Sequence, residues 1–563
     1  NASFAAGTPP KGPINFMSQS GALGTAVLDW SLAGEMGFSK FVSLGNKADV
    51  SEIDLLEMWS QDANANVVLA YIEGVPDGQQ FIRTARAASK KIPVVAVKSG
   101  VTQAGSRAVS SHTGSLAGSE QAYAAAFKQA GIIRAHTMEA MFDYARAFAY
   151  QPVLKGDRIA IITNAGGPGI LATDAIERSG LRIARFENET IKKLESYLPD
   201  AASAANPVDV LGDSAADRYE FAIDTVAADP NVDGILVILT PQAMTDIPGT
   251  ANAIANLSDR ANMPVLACFM GEKEVSKGIE ILTKRGVPNY PFPERAVAAF
   301  RAMADYRNAK AEPLPEYERF EVDTDAVRQV FEQVRSEGRV TIGDFEARTI
   351  LEAYGLRIPM SRLAENPDEA VRIAGEISYP VVLKIASPDI LHKTDVGGVR
   401  VGLQNAQDVR DTFELMVYRA QRYVAGARIW GCLVQEMTPK GLEVLVGMNR
   451  DPQFGPLVTF ALGGIYVEIL KDAAFRIAPF SRREAEQMLE EIRAHALLDG
   501  VRGNPPVDKA AIVDALLRIG QLVQDFPEIL ELDINPLMVF EEGQGAVAID
   551  MRLVLSSKGL GET

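Results

Sequence analysis

Apolar residues in the first half of the chain fall in short unbroken runs instead of alternating with polar ones. The runs are INFMS (14–18), NVVLAYIEG (66–74), IPVVAVKSG (92–100), RIAIITNAGG (158–167), DGILVILTP (233–241) and MPVLACFMG (263–271). Such runs predict strands buried on both faces, the mark of a parallel sheet sandwiched between helices. Stretches of helical period such as ALGTAVLDWSLAG (22–34) separate them. The pattern also repeats. INFMSQSGALG and AIITNAGGPGI are each a strand, a small-residue turn and a helix start, and NVVLAYIEG…IPVVAVKSG is echoed by DGILVILTP…MPVLACFMG. Two related α/β domains in tandem are expected, over 1–150 and 151–310. Residues 311–324 (AEPLPEYERFEVDT) are proline-rich, acidic and aperiodic, and predict a linker. Residues 325–563 mix strands and helices in an α+β pattern. There, Asp344 is expected to cap a helix whose apolar positions include Phe345, Ile350, Leu351 and Tyr354, with Gly355 ending it.

Composition narrows the possibilities. A formal net charge of −17 disfavours non-specific nucleic-acid binding but leaves room for a local basic pocket. No apolar run approaches the roughly 20 residues that cross a bilayer, and no signal peptide is evident. The two cysteines, Cys268 and Cys432, sit in apolar strand-like runs. They read as reduced packing residues, which fits a cytoplasmic protein. The first residue is Asn1 and a strand follows almost at once, so a processed or truncated chain is expected.

Several short stretches carry candidate chemistry. In SQSGALG (18–24) a strand ends and a helix opens, so its first-turn N–H groups can serve an anion, and Ser18 and Ser20 can add hydroxyl donors. NAGGPG (164–169) has the same form. Both are equally readable as ordinary helix capping. Glu73 closes an apolar strand, where α/β sheets gather their ligands. It is either a solvated strand-end acid or the partner that fixes one imidazole nitrogen so that the other can act as a nucleophile. AVSSHTGSLAGSE (108–120) places His112 among small and hydroxylic residues. On its own, that histidine is either a surface residue or a phosphoryl acceptor flanked by Ser111 and Thr113.

SQSGAL, YIEG and SSHTGSLAG, followed by ILHKTDVGGV and ELDINPL, decide between these readings. Together and in this order they closely resemble the NDP-forming acyl-CoA synthetases, which include ADP-forming acetate–CoA ligase and are related to succinyl-CoA synthetase. The resemblance covers essentially the whole chain. It implies two tandem flavodoxin-like (succinyl-CoA-ligase-like) parallel-sheet domains, then an ATP-grasp domain over 325–563. It implies His112 as the phosphohistidine and Glu73 as its carboxylate partner. Ser18, Ser20, Gly21, Asn164, Gly166 and Gly167 fall at the two anion-binding helix starts, and SLGNKADVSEID (43–54) falls near the acyl site.

In the ATP-grasp part, Lys384 is expected on nucleotide phosphates as a point charge. Gly397 and Gly398 would let backbone N–H groups approach phosphate. Gln435 and Glu436 would meet adenine and ribose, and Asn535 and Asp550 are hard oxygen ligands suited to Mg²⁺. His392 resembles a second histidine that relays phosphoryl from ATP. Asp533 stands where the succinyl enzyme has a supporting glutamate. His136 and His495 are expected to be structural.

The implied substrates are ATP/ADP, phosphate, CoA and a carboxylic acid with its thioester. A homo-oligomer is expected. The resemblance also implies an N-terminal CoA-binding domain that the sequence is expected to lack, either by truncation, the favoured reading, or because it is supplied as a separate domain or subunit. Two alternatives remain: a non-catalytic acyl-CoA-sensing module of a protein acetyltransferase, and a same-family ligase for a larger acid. The sensing relatives tend to lack the histidine present here as His112.

Overall fold

The structure, a computed structural model, describes residues 7, 9–33, 36–45, 47, 49–102, 104, 118–390, 393, 396–463, 472–501 and 503–557. Ser111, His112, Thr113 and His392 lie outside the described residues. The chain divides into two compact units, Asn1–Pro313 and Leu314–Thr563.

The first unit holds two parallel sheets. Strands β1 (Lys11–Ser18), β2 (Phe38–Ser43), β3 (Val67–Ile72), β4 (Val94–Lys98) and β5 (Ile133–Arg134) form the first, in the order β2-β1-β3-β4-β5. Strands β6 (Arg158–Thr163), β7 (Arg182–Ile183), β8 (Val208–Asp209), β9 (Gly234–Leu239) and β10 (Val265–Phe269) form the second, ordered β10-β9-β6-β7 with β8 also on β6. Every pairing is parallel. Both sheets therefore reverse direction beside their first strand, between β1 and β3 and between β6 and β9, the crossover at which doubly wound sheets open a crevice.

All six apolar runs became strands. Val67 to Ala70 and Ile235 to Leu239 are buried throughout, as continuous apolar runs demand. Several of the helices between strands start on side-chain caps. Asp77 accepts from Gln80 N at 2.9 Å, and Ser119 and Thr137 accept from Ala122 N and Ala140 N.

The two halves share a core. One buried cluster joins Val27 and Leu28 of the helix Gly21–Ala33 to Phe142 and Phe148 of the helix Met138–Tyr150. It continues into Ile176 of the helix Gly166–Arg178 and Phe300 of the helix Pro293–Ala311. What the sequence presents as two domains is thus packed as one block.

The second unit is α+β. Strands β11 (Thr341–Ile342), β12 (Ser361–Ala364), β13 (Val381–Ala386), β14 (Val399–Leu403), β15 (Gly431–Glu436), β16 (Leu442–Asp451), β17 (Gly455–Leu462), β18 (Ala473–Ile477), β19 (Ile529–Val539), β20 (Ala546–Ala548) and β21 (Met551–Leu555) form two antiparallel sheets. One is ordered β12-β15-β13-β14, the other β11-β21-β19-β16-β17-β18 with β20 on β19. Each sheet has its own buried core. The expected helix spans Asp344–Ala353, but Gly343 is its cap and Asp344 its first residue. The Asp344 side chain therefore points to other work, described below.

Cys268 and Cys432 are buried, and burial pushes each thiol up to about 12, as packing residues require. Among the described residues, no helix is long and apolar enough to cross a membrane.

Candidate active site

At the end of β1 the chain turns through Ser18-Gln19-Ser20 into the helix Gly21–Ala33. Ser18 Oγ donates to Ser20 O at 2.8 Å and accepts from Ser20 N at 3.1 Å. The second half repeats this turn atom for atom. Thr163 Oγ1 donates to Ala165 O at 2.9 Å and accepts from Ala165 N at 3.1 Å, before the helix Gly166–Arg178. The middle residue of each turn clamps the neighbouring strand across the crossover. Gln19 Oε1 accepts from Glu73 N at 2.7 Å and from Gly74 N at 3.0 Å. Asn164 Oδ1 accepts from Thr240 N at 2.8 Å, and its Nδ2 donates to Thr240 O at 2.9 Å.

These bonds correct part of the expectation. Ser18 spends its hydroxyl inside the turn and Asn164 spends its amide on Thr240, so neither side chain is presented to an anion. The second helix start does remain open, whereas at the first Ser20 Oγ accepts from Leu23 N at 3.4 Å. Gly166 and Gly167 are exposed, no side chain caps their helix, and nothing lies within 4 Å of where a Gly167 Cβ would be.

Glu73, half-buried, follows β3 at this same crossover. Beside it stands Lys98, the register partner of Ile72 at the end of β4. Its ammonium lies 4.4 Å from the centroid of the Tyr123 ring. Burial pushes Lys98 down to about 8, against the opposing charges of Glu120 and Glu73.

In the second unit, Lys384, Asp533, Asn535 and Asp550 line one cavity of about 190 Å³, together with Asp344, Lys393, Trp430 and Arg552. Lys384 is buried and donates to Ile549 O at 2.6 Å and Asp344 Oδ2 at 3.3 Å. Lys393 reaches Asp550 Oδ1 at 3.2 Å and Asp344 Oδ2 at 3.7 Å. Burial, the largest effect on Asp344, raises its carboxyl. Lys384, Lys393 and Arg348 together outweigh it and hold the group below its usual range. Asp533 and Asp550 go the other way. Burial raises both, and Asp344 adds to the rise at Asp550.

Phe345, expected in the helix's apolar face, is exposed to this cavity and to a larger one of about 760 Å³, with Trp430 lining both. Glu436 lines the larger cavity and accepts from Met360 N at 2.9 Å. Gln435 is buried in β15 and lines neither cavity.

Gly397 has φ +65, which suits glycine. Gly398 is small for a different reason than phosphate approach. Its N–H donates to Lys393 O at 2.7 Å, and a Cβ would lie 2.6 Å from Ile385. His136 and His495 are exposed, and neither lines one of these cavities.

Asp533, Asn535 and Asp550 offer only oxygen to the smaller cavity, the donor set of a hard divalent cation. Two of the three carry raised carboxyls, which a bound cation would relieve.

Comparison with known proteins closes this description. Residues 11–148 match a succinyl-CoA ligase like flavodoxin domain, 159–314 a ligase-CoA domain and 333–555 an ATP-grasp domain. Acetate–CoA ligase (ADP-forming) I of Archaeoglobus fulgidus is 44% identical over 99% of this chain and 80% of its own length. The chain belongs to the ADP-forming acetate–CoA ligase family. It is therefore an acid–thiol ligase that works with ATP/ADP, CoA and phosphate.

Another member, 4-hydroxybutyrate–CoA ligase (ADP-forming) of Nitrosopumilus maritimus, is 39% identical over 99% of this chain and 80% of its own length. A solved acetyl-coenzyme A synthetase 1 of Ca. Korarchaeum cryptofilum, in complex with phosphate and ADP, superposes with TM-score 0.53 at 36% identity, covering 55% of this chain and 68% of that one. The family's two parallel-sheet domains and ATP-grasp domain are those described above.

The residues that sequence reading missed are Gln19, Lys47, Glu52, Lys98, Asp344, Lys393 and Arg552. Most of them lie inside stretches quoted for other reasons: Gln19 in SQSGALG, Lys47 and Glu52 in SLGNKADVSEID, Lys98 in IPVVAVKSG and Lys393 in ILHKTDVGGV, while Asp344 reads only as a helix cap.

Proposed function

We propose that the chain interconverts acyl-CoA, ADP and phosphate with carboxylate, CoA and ATP, using His112 as the phosphoryl carrier. The observation that carries this reading is Glu73. It is a half-buried carboxylate pinned by its backbone at a parallel-sheet crossover, where β1 also runs into a helix whose first residue, Gly21, is exposed. Phosphate attacks the thioester carbonyl, the C–S bond breaks and CoA thiolate leaves. The imidazole nitrogen of His112 then attacks phosphorus, and the acyl carboxylate leaves. Glu73 accepts the N–H of the other ring nitrogen, which fixes the tautomer and stabilises the charged ring. The N–H groups at Gly21 and at Gly166 and Gly167, with Ser20, hold the phosphoryl oxygens.

At the ATP-grasp cavity, Lys384 and Lys393 offer positive charge to the nucleotide phosphates, His392 relays the group, and Asp533 supports it. Mg²⁺ on Asn535 and Asp550 would supply charge neutralisation at the phosphates. The acid is a small-molecule carboxylate, and the cytoplasm, where ATP and CoA are abundant, is the compartment. The test is labelling with γ-³²P-ATP and Mg²⁺, followed by a search for an acid-labile, base-stable phosphoenzyme. His112→Ala is expected to abolish the stable label, and His392→Ala to slow its appearance. Parental labelling in both variants would rule out the relay.

A further inference from the structure

The two strand-end clamps differ in one respect. Asn164 holds Thr240 and, among the described residues, has no charged group hydrogen-bonded to its amide. Gln19 holds Glu73 and Gly74 by the same amide chemistry, adding a bond from Nε2 to Gly74 O at 2.8 Å. Behind it, however, stands Glu52, fully buried, whose Oε1 accepts from both Gln19 Nε2 and Lys47 Nζ. Lys47 also donates to Gly74 O at 2.5 Å, from a backbone with φ +54 that residues with a Cβ seldom adopt. Glu52 Oε2 has no hydrogen-bond partner among the described residues. Burying a carboxylate with half its acceptor capacity unmet is costly. The sister half shows that the fold closes the same crossover without it.

What the charge adds is orientation. An amide can be turned end for end, but Glu52 only accepts. Its presence forces Gln19 Nε2 toward Glu52 and Gly74 O, and so forces Oε1 onto the two N–H groups of Glu73 and Gly74. Lys47 balances Glu52 and takes the remaining capacity of Gly74 O. We propose that Gln19, oriented by Glu52 and Lys47, is the positioning residue that fixes the Glu73–Gly74 backbone and thereby aims the Glu73 carboxylate. This rests on the reading of Glu73 as the partner of the phosphoryl carrier.

The experiment measures how fast the purified chain takes phosphoryl from ³²P-acetyl phosphate. This donor needs no CoA and carries a small acyl group. The phosphoryl passes to the carrier's imidazole nitrogen, the P–O bond to the acyl oxygen breaks, and acetate leaves. Rates are expressed per folded protein, from melting curves. Gln19→Met removes the clamp, and Gln19→Glu sets a second carboxylate against Glu52. Each is expected to slow labelling by roughly 10- to 100-fold, the scale of a misplaced catalytic group.

The exchange Gln19→Glu with Glu52→Gln keeps an acceptor facing the two N–H groups, a donor behind it and a single carboxylate in the cluster, while Gly74 O loses the Nε2 donor and keeps Lys47. It is expected to recover to within about fivefold of the parent, a rescue that a loss of folding would not give. An exchange no faster than Gln19→Glu alone overturns the proposal. If Glu73→Gln labels slowly while Gln19→Met labels like the parent, the positioning role falls and the reading of Glu73 stands. If Glu73→Gln itself labels like the parent, both fall.

Discussion

Asp344 is the group on which the charge balance of the cavity around Lys384 turns, and Asp344→Asn tests it without changing shape. In the folded chain its carboxylate faces Lys384 at 3.3 Å and Lys393 at 3.7 Å, and Lys384 is buried. At an effective dielectric of about 20, each contact is worth about 5 kcal/mol before desolvation is subtracted. Removing one member of a buried pair costs about 3–5 kcal/mol net. The variant belongs at or below the low end of that range, because Lys384 keeps Ile549 O and Lys393 keeps Asp550. A loss of about 2–3 kcal/mol in a unit spanning Leu314–Thr563 lowers its melting temperature by about 5–10 °C.

The decisive measurement adds ADP. Its phosphates supply the negative charge that the asparagine lacks, so saturating ADP should raise the melting temperature of Asp344→Asn more than that of the parent. Differential scanning calorimetry with and without ADP reads both quantities. A variant that melts within 2 °C of the parent, or one that gains no more than the parent from ADP, refutes the account of Asp344 as the resident counter-charge.

Two further outcomes follow. Lys98 is pushed from 10.5 to about 8. Its charged form therefore opposes folding at neutral pH, and this penalty is relieved as pH rises from about 8 toward 10.5; the difference amounts to roughly 3 kcal/mol. Urea denaturation should show the parent gaining stability between pH 7.5 and 9.5 relative to Lys98→Met, and parallel pH profiles would contradict this. Gly398→Ala drives a Cβ to 2.6 Å from Ile385 and 2.8 Å from the Lys393 carbonyl. It should cost about 1–3 kcal/mol and weaken ADP binding by calorimetric titration, whereas unchanged ADP affinity would separate this turn from the nucleotide cavity.

What could be read from the chain and what could not follow from the range of the interactions involved. Runs such as VVLAYI and GILVIL announce two-sided burial residue by residue, so the parallel sheets were legible. Strand β17, GPLVTFAL, is as buried but was not anticipated, because its glycine and proline opening reads as a turn. Among site residues, Lys384, Asp533, Asn535 and Asp550 were named from motifs and do line one cavity. Asp344 reads as a cap because aspartate before a helix usually is one. Its partner Lys384 lies 40 positions away, and no local pattern reports a contact of that span. Gln19 was hidden for a related reason. It sat inside a quoted motif, between two serines with recognisable hydroxyl chemistry, while its own amide acts 54 and 55 positions away.

The layer shared by the two sheets of the first unit has a mechanical consequence. Val27, Ile176 and Phe300 belong to one packed mass, so the helix starts at Gly21 and Gly166 are carried like jaws machined from a single casting. Their mutual angle is set by side-chain volumes in that mass, since close-packed interiors transmit strain instead of absorbing it. Trimming a residue such as Phe148, a member of that mass with no part in the chemistry, would alter the aim of both jaws at once.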